Sequence, residues 1–193
     1  MPIPTSNSNL WDSSYENFKD FLAFTTQDIS NILKSVEPTT VKTFLDIGCG
    51  TGQLGREFFH RGYTTVGIDG SSIAIKIAKE ATIYGEDKIK YLHSSFEDFS
   101  ESEAIFGLIT CKYVFAFIKD RPKFLNKVER LLSMDGVFII ISPNINKLPV
   151  EKAGIAVDND EALVSLKYFF EVENYQRGRD FYYVCRKLEK IGA

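Results

Sequence analysis

A chain of 193 residues is one domain's worth, and with 44% hydrophobic residues and no repeat or low-complexity tract it can build a full core. A net charge of −3 without a basic cluster argues against a nucleic-acid-binding face. No apolar run approaches a membrane span, and the opening MPIPTSNS lacks the regions of a signal peptide, so a cytoplasmic protein is expected. Cys49, Cys111 and Cys185 are widely spaced with no CxxC, and His60 and His93 are the only histidines, so neither a disulfide framework nor a metal site is indicated.

In chain order, residues 12–35 read as a leading helix or two, with Tyr15, Phe18, Phe21, Leu22, Ile29, Ile32 and Leu33 at helical spacing. Residues 41–47 are apolar and β-rich, and residues 53–60 carry Leu54, Phe58 and Phe59 at helical spacing. The glycines of GCGTG at 48–52 therefore sit in a strand-to-helix turn. Glycine there accepts positive φ and lets a ligand lie against the main chain, with amides of the helix start facing it. A dinucleotide fingerprint would put its third glycine at position 53, where Gln53 stands, and Asp46 places a carboxylate where a pyrophosphate would be repelled. The same carboxylate suits a ligand that carries both an adenosine and a positive charge.

Gly62 reads as a helix C-cap, residues 63–68 as a second strand, and Asp69 at its tip as an acceptor for ribose hydroxyls, in nicotinamide and adenosyl sites alike. Ser71 and Ser72 are N-cap candidates for a helix over 73–80. Further strands are expected near 89–93, 106–111 and 137–142. A helix follows around 160–167, and two aromatic-rich runs, 168–175 and 181–187, form a hairpin across the turn at 176–180.

At this point the chain resembles the class I S-adenosylmethionine-dependent methyltransferases. LDIGCGTG at 45–52 is similar to their glycine-rich motif and VGIDGS at 66–71 to their ribose-binding motif. KYLHSSFEDF at 90–99 is similar to their adenine-contacting segment, FGLITCKYVFAFI at 106–118 to their fourth strand and loop, and FLNKVERLLSMDGVFIIISPN at 124–144 to their helix, turn and fifth strand. The match covers about three quarters of the chain in the right order. Ser95 stands where many relatives have Asp, and Gly107 replaces a frequent Asp. The resemblance implies an α/β, doubly wound Rossmann-like seven-stranded sheet with an antiparallel C-terminal hairpin strand. It implies a single domain over 1–193, with 1–40 a helical segment able to act as a lid and 41–193 the core.

The implied cofactor is S-adenosyl-L-methionine, contacted by Asp46, Gly48, Cys49, Gly50, Asp69, Gly70, Ser95, Phe96 and Cys111, with Tyr15 closing over it. Each residue also has a plainer reading. Asp46 could cap the turn, Phe96 could be core beside Phe99, Cys49 could be a small loop residue, and Trp11 and Tyr15 could staple the first helix. Lys112 is expected as a solvated loop lysine beside the methyl-donor pocket. No residue is singled out as the catalytic base, and no metal is implied. The loop Cys111-Lys-Tyr-Val114 lacks the (Asp/Asn)-Pro-Pro-aromatic motif of enzymes that methylate base amino groups. A small-molecule acceptor is therefore the leading expectation, with a protein or RNA acceptor, or a non-catalytic cofactor-binding module, as alternatives.

Overall fold

The structure is a computed structural model that describes residues 12, 15, 24–36, 40–83, 85, 87–100 and 105–189, excepting the side chains of 151 and 152. Trp11 and Phe18 lie outside the described residues. Thr26–Val36 forms α1, Thr43–Ile47 β1, Gln53–Phe59 α2, Thr64–Asp69 β2, Ser72–Glu80 α3 and Ile89–His93 β3. Phe106–Lys112 is β4, Arg121–Leu131 α4, Leu132–Pro143 β5, Asn159–Lys167 α5, Phe170–Arg177 β6 and Asp180–Lys187 β7.

All seven strands join one sheet in the order β3-β2-β1-β4-β5-β7-β6. The first five are parallel; β7 runs antiparallel between β5 and β6, so the hairpin enters the sheet by its second strand. β1 and β4 read as near-continuous apolar runs because both faces are covered. Phe44, Leu108, Ile139 and Tyr182 meet Ile29 and Ile32 of α1 and Leu54 and Phe58 of α2 on one face. Leu45, Ile109, Phe138 and Tyr183 meet Phe124, Leu125 and Val128 of α4 and Leu166 of α5 on the other.

Local chemistry sets the element ends. α2 stops in a Schellman arrangement: Gly62 at φ 83 donates to Phe59 O, Tyr63 donates to Phe58 O, and the rings of Phe58 and Tyr63 close edge to face at 5.1 Å. Ser71 caps α3 by accepting from Ala74 N, and Asp120 caps α4 with Pro122 in its first turn. The fifth strand begins earlier than its apolar pattern suggests. Leu132 pairs with Phe106 directly after α4, and the polar Met134-Asp135-Gly136 turn is carried as a register irregularity. Asp135 is held there by the amide and hydroxyl of Thr40 at 2.7 and 2.6 Å.

Candidate functional site

Strand order reverses between β1 and β4, and the carboxyl ends of these strands face the place where open α/β sheets bind ligands. Asp46 lies one residue before the end of β1 and is buried to 2% exposure. Thr110, its register partner on β4, donates to Oδ1 at 2.6 Å, while Oδ2 has no hydrogen-bond partner among the described residues. Burial pushes its carboxyl up to about 7. The Asp69 charge pushes the same way, against the Thr110 hydrogen bond and the Lys112 charge. An unpartnered buried carboxylate oxygen costs stability, so Asp46 is not placed there for the fold alone.

The glycine turn is used differently from the expectation of amides left open to a ligand. Gly48 N and Cys49 N both donate to Ile68 O, Gly52 N to Cys49 O, and Gly50 N to Asp69 Oδ2 at 2.9 Å. With these four amides satisfied inside the protein, the turn is no cradle for a pyrophosphate, in keeping with Gln53 at the third fingerprint position. Gly48, Gly50 and Gly52 all have positive φ. A Cβ on Gly48 would meet Val114 Cγ2 at 2.2 Å, and one on Gly52 would meet the Tyr91 ring at 2.5 Å. Gly52 is therefore open for Tyr91, whose hydroxyl donates to Gly52 O at 2.9 Å.

Asp69 ends β2 and accepts from Gly50 N and, through Oδ1, from Ser71 N at 2.8 Å. Burial raises its pKa against those two hydrogen bonds and the nearby His93. Each oxygen thus holds one amide and keeps acceptor capacity for a further donor. Gly70 follows, with nothing within 4 Å of a Cβ placed on it.

The remaining expected residues are placed unevenly. Cys49 is buried against Ile75, Ala78, Ile89 and Tyr91, as a small loop residue should be. Cys111 is fully buried in the core, and burial raises its thiol pKa, so only its main chain lies at the strand end. Ser95 is exposed with its hydroxyl donating to Asp98 at 2.8 Å, and the Phe96 ring packs in the core 4.8 Å from Phe124. The Ser95 hydroxyl is thus spent on Asp98 and the Phe96 ring on the core. Tyr15 is helical and buried to 7%.

Three features escaped the sequence. Gln53 pairs with both main-chain groups of Phe24, Oε1 accepting from its N and Nε2 donating to its O, each at 2.9 Å. Asp12 accepts from the Ser71 hydroxyl and from Ile73 N beside Asp69. Lys112 is not solvated: its side chain is 8% exposed, 4.0 Å from Asp28 and 3.9 Å over the Phe24 ring, because α1 covers that face of β4. Tyr113 follows it at φ 58, a conformation costly for an aromatic residue. Tyr113 N donates to Ile141 O at 2.8 Å, and its hydroxyl donates to Asp180 at 2.9 Å. Only the positive φ of a bulky residue at a strand end marks this spot, and no sequence signal reports it.

A doubly wound sheet with a buried, half-satisfied carboxylate below a glycine turn whose amides are occupied defines an α/β protein whose turn is no phosphate cradle. Residues 39–179 match the family described as a methyltransferase domain, and the chain belongs to that family. It is 24% identical over 147 residues to an uncharacterized methyltransferase, YcgJ, of Bacillus subtilis, covering 75% of this chain and 58% of that one. Over 108 residues it is 28% identical to a ubiquinone biosynthesis O-methyltransferase of Actinobacillus pleuropneumoniae, covering 53% and 46%. The chain thus spans about half the length of these curated relatives. The crystal structure of the plantazolicin methyltransferase BpumL, in complex with a pentazolic desmethyl analog and S-adenosylhomocysteine, shares the fold. Its TM-score is 0.70 at 16% identity, covering 93% of this chain and 91% of that one.

No described helix is long and apolar enough to cross a membrane. No group of three or more His, Cys, Asp or Glu among the described residues could hold a metal ion.

Proposed function

We propose that the chain is an S-adenosylmethionine-dependent methyltransferase acting on a small-molecule acceptor. The observation that carries the cofactor is Asp46, whose Oδ2 is buried without a partner among the described residues, where the ammonium of the donor supplies the missing proton. Asp69 takes the ribose hydroxyls, Gly48, Cys49, Gly50 and Gly70 lie along the ligand, and the main chain at Ser95, Phe96 and Cys111 borders it. The small acceptor is supported by two similar proteins, one named for ubiquinone biosynthesis and one bound to a plantazolicin analog. A net charge of −3 disfavours an RNA acceptor.

The bound donor supplies an electrophilic methyl group. The protein's part is to bind, align and exclude water. Asp46 fixes the charged end of the ligand and Asp69 the sugar, and the strand ends of β4 and β5 border the space left for the acceptor. Residues 1–20 serve as part of the lid, while α1 packs on the sheet as core. Gln53 fastens Phe24 to the glycine turn on one side of the site, Asp12 fastens to Ser71 on the other, and Tyr15 is buried near them in the chain.

The acceptor class is tested by transfer of labelled methyl from S-adenosylmethionine to a panel of small phenols, amines and azole peptides, with protein and RNA extracts in parallel. Label in the small molecules alone is the expected result; label in protein or RNA alone would reject the small-acceptor reading. The lid has its own test. Deleting residues 1–16 removes Asp12 and Tyr15, and should weaken S-adenosylhomocysteine binding about tenfold, the loss of one or two buried hydrogen bonds, while the far-ultraviolet spectrum of the core is kept. Unchanged affinity in that truncation would leave the site open.

A further inference from the structure

β7 runs against the parallel strands, so its first residue, Asp180, arrives at the carboxyl edge of the sheet, paired with Pro143 at the end of β5. Its carboxyl group is half used. Oδ2 accepts from the Tyr113 hydroxyl at 2.9 Å, whereas Oδ1 is buried without a hydrogen-bond partner among the described residues, and Arg179 Nε stops 4.0 Å short of it. We propose that Asp180 is the proton acceptor of the methyl transfer and that the acceptor is a small hydroxyl compound, whose O–H donates to Oδ1. This rests on the methyl-transfer reading above and adds to it the class of acceptor and the residue that takes its proton.

Position, strain and charge carry the assignment. The ends of β4 and β5 border the space left for the acceptor, and Tyr113 spans it from one side to the other. It leaves β4, its N donates to Ile141 O of β5 at 2.8 Å, and its hydroxyl reaches Asp180 on β7. Tyr113 does this at φ 58, a costly backbone for an aromatic residue, and strain of that kind collects where a side chain is aimed for function. The result is a carboxylate oriented through one oxygen with the other left over, the arrangement of a general base held by a third group. The side chain keeps 16% of its surface exposed, so the group is shielded from bulk water but not sealed. Around it stand Tyr113 and Lys112 at the end of β4, Asp28 of α1, and Arg179 and Tyr182 of the hairpin. Burial raises its pKa, and Asp28 pushes the same way, against the Tyr113 hydrogen bond and the charges of Arg179 and Lys112. A carboxylate raised in this way takes a proton more readily than a solvated one. In the step itself a lone pair of the acceptor oxygen forms the new bond to the methyl carbon. The carbon–sulfur bond breaks with its electron pair left on sulfur, and the hydroxyl proton passes to Asp180 Oδ1 and then to solvent.

The test measures methyl transfer to catechol, phenol and benzyl alcohol at saturating S-adenosylmethionine, so that titration of Asp46 does not enter. Asp180→Asn should lower kcat about 100-fold or more, with the KM for S-adenosylmethionine within about twofold. In the unaltered protein kcat should fall as pH drops through the Asp180 ionisation, and the asparagine variant should lose that slope. Tyr113→Phe should move the slope to higher pH, since its hydrogen bond holds the Asp180 pKa down. Added formate should restore part of the rate to Asp180→Ala. An unchanged kcat in Asp180→Asn, or a slower variant that keeps the slope, would overturn the assignment and leave Asp180 as an anchor for Tyr113. Transfer to amines or azole peptides but to none of the three hydroxyl compounds would reject this acceptor class, and the base with it, while the small-acceptor reading stands. Transfer to no small molecule would reject that reading as well. If the Asp180 variants do not fold, the pH profiles of the unaltered protein and of Tyr113→Phe decide: a flat profile, or two that coincide, would overturn the assignment.

Discussion

Replacing Asp46 with asparagine should make the unliganded protein more stable and its cofactor site worse. Raising this carboxyl from its ordinary 3.8 to about 7 corresponds to about 4 kcal/mol at about 1.4 kcal/mol per pH unit. That is an upper bound, because the asparagine amide must itself be buried where Oδ2 has no partner. A net gain of about 1–3 kcal/mol remains, or about 3–10 °C in Tm for a domain of this size. The pH dependence fixes the cause. A folded-state pKa above the unfolded one means that the neutral form is favoured by folding. Its contribution is complete below pH 4 and is lost as pH rises through about 7. The gain from Asp46→Asn should therefore appear at pH 8 and vanish near pH 4. Cofactor binding moves the opposite way, because the ammonium meets the ionised carboxylate. S-adenosylhomocysteine affinity of the unaltered protein should fall as pH drops below about 7, and the asparagine variant should lose about 10- to 100-fold at pH 8 and show no such slope. Thermal melts and calorimetry across that range check both halves. A variant less stable at pH 8 and undiminished in affinity would assign Asp46 to the turn alone.

Substituting the glycines separates folding from binding in the same turn. Gly48→Val places a β-branched residue at φ 75 and its Cβ 2.2 Å from Val114 Cγ2, in a loop packed on Phe115 and Phe124. The strained backbone costs about 1–3 kcal/mol and the overpacking a similar amount, so about 2–5 kcal/mol of stability should disappear. Gly70→Leu should behave as the reverse case. Its backbone is not in the left-handed region, and a Cβ meets nothing within 4 Å, so stability should stay within about 0.5 kcal/mol. If the ligand lies beside Asp69, that open space is filled on binding, and the leucine should weaken S-adenosylhomocysteine more than tenfold. Denaturant midpoints set against calorimetric affinities for the two variants give the answer. Normal affinity in Gly70→Leu would move the ligand away from the β2 end.

Much of the architecture was legible because its signals are local. The apolar runs of β1 and β4, the glycine turn between strand and helix, Gly62 as a C-cap, Ser71 as an N-cap and the turn between β6 and β7 each follow from residues within a few positions of one another. Asp46 and Asp69 were legible too, since their place relative to the glycines is itself a sequence spacing. The tertiary structure decided what those residues touch. It placed β7 between β5 and β6, filled the space above Gly52 with Tyr91, gave the Gly50 amide to Asp69, and drew Lys112 under Phe24 and α1. These partners are distant in sequence, 39 residues for Tyr91 with Gly52 and 59 for Asp12 with Ser71. The sequence by itself determined which backbone shapes and charges arrive at the carboxyl edge. Whether a given charge there faces water, a ring or an unmet partner depends on which distant elements cover it, since desolvation is a property of the packed surroundings and not of the residue.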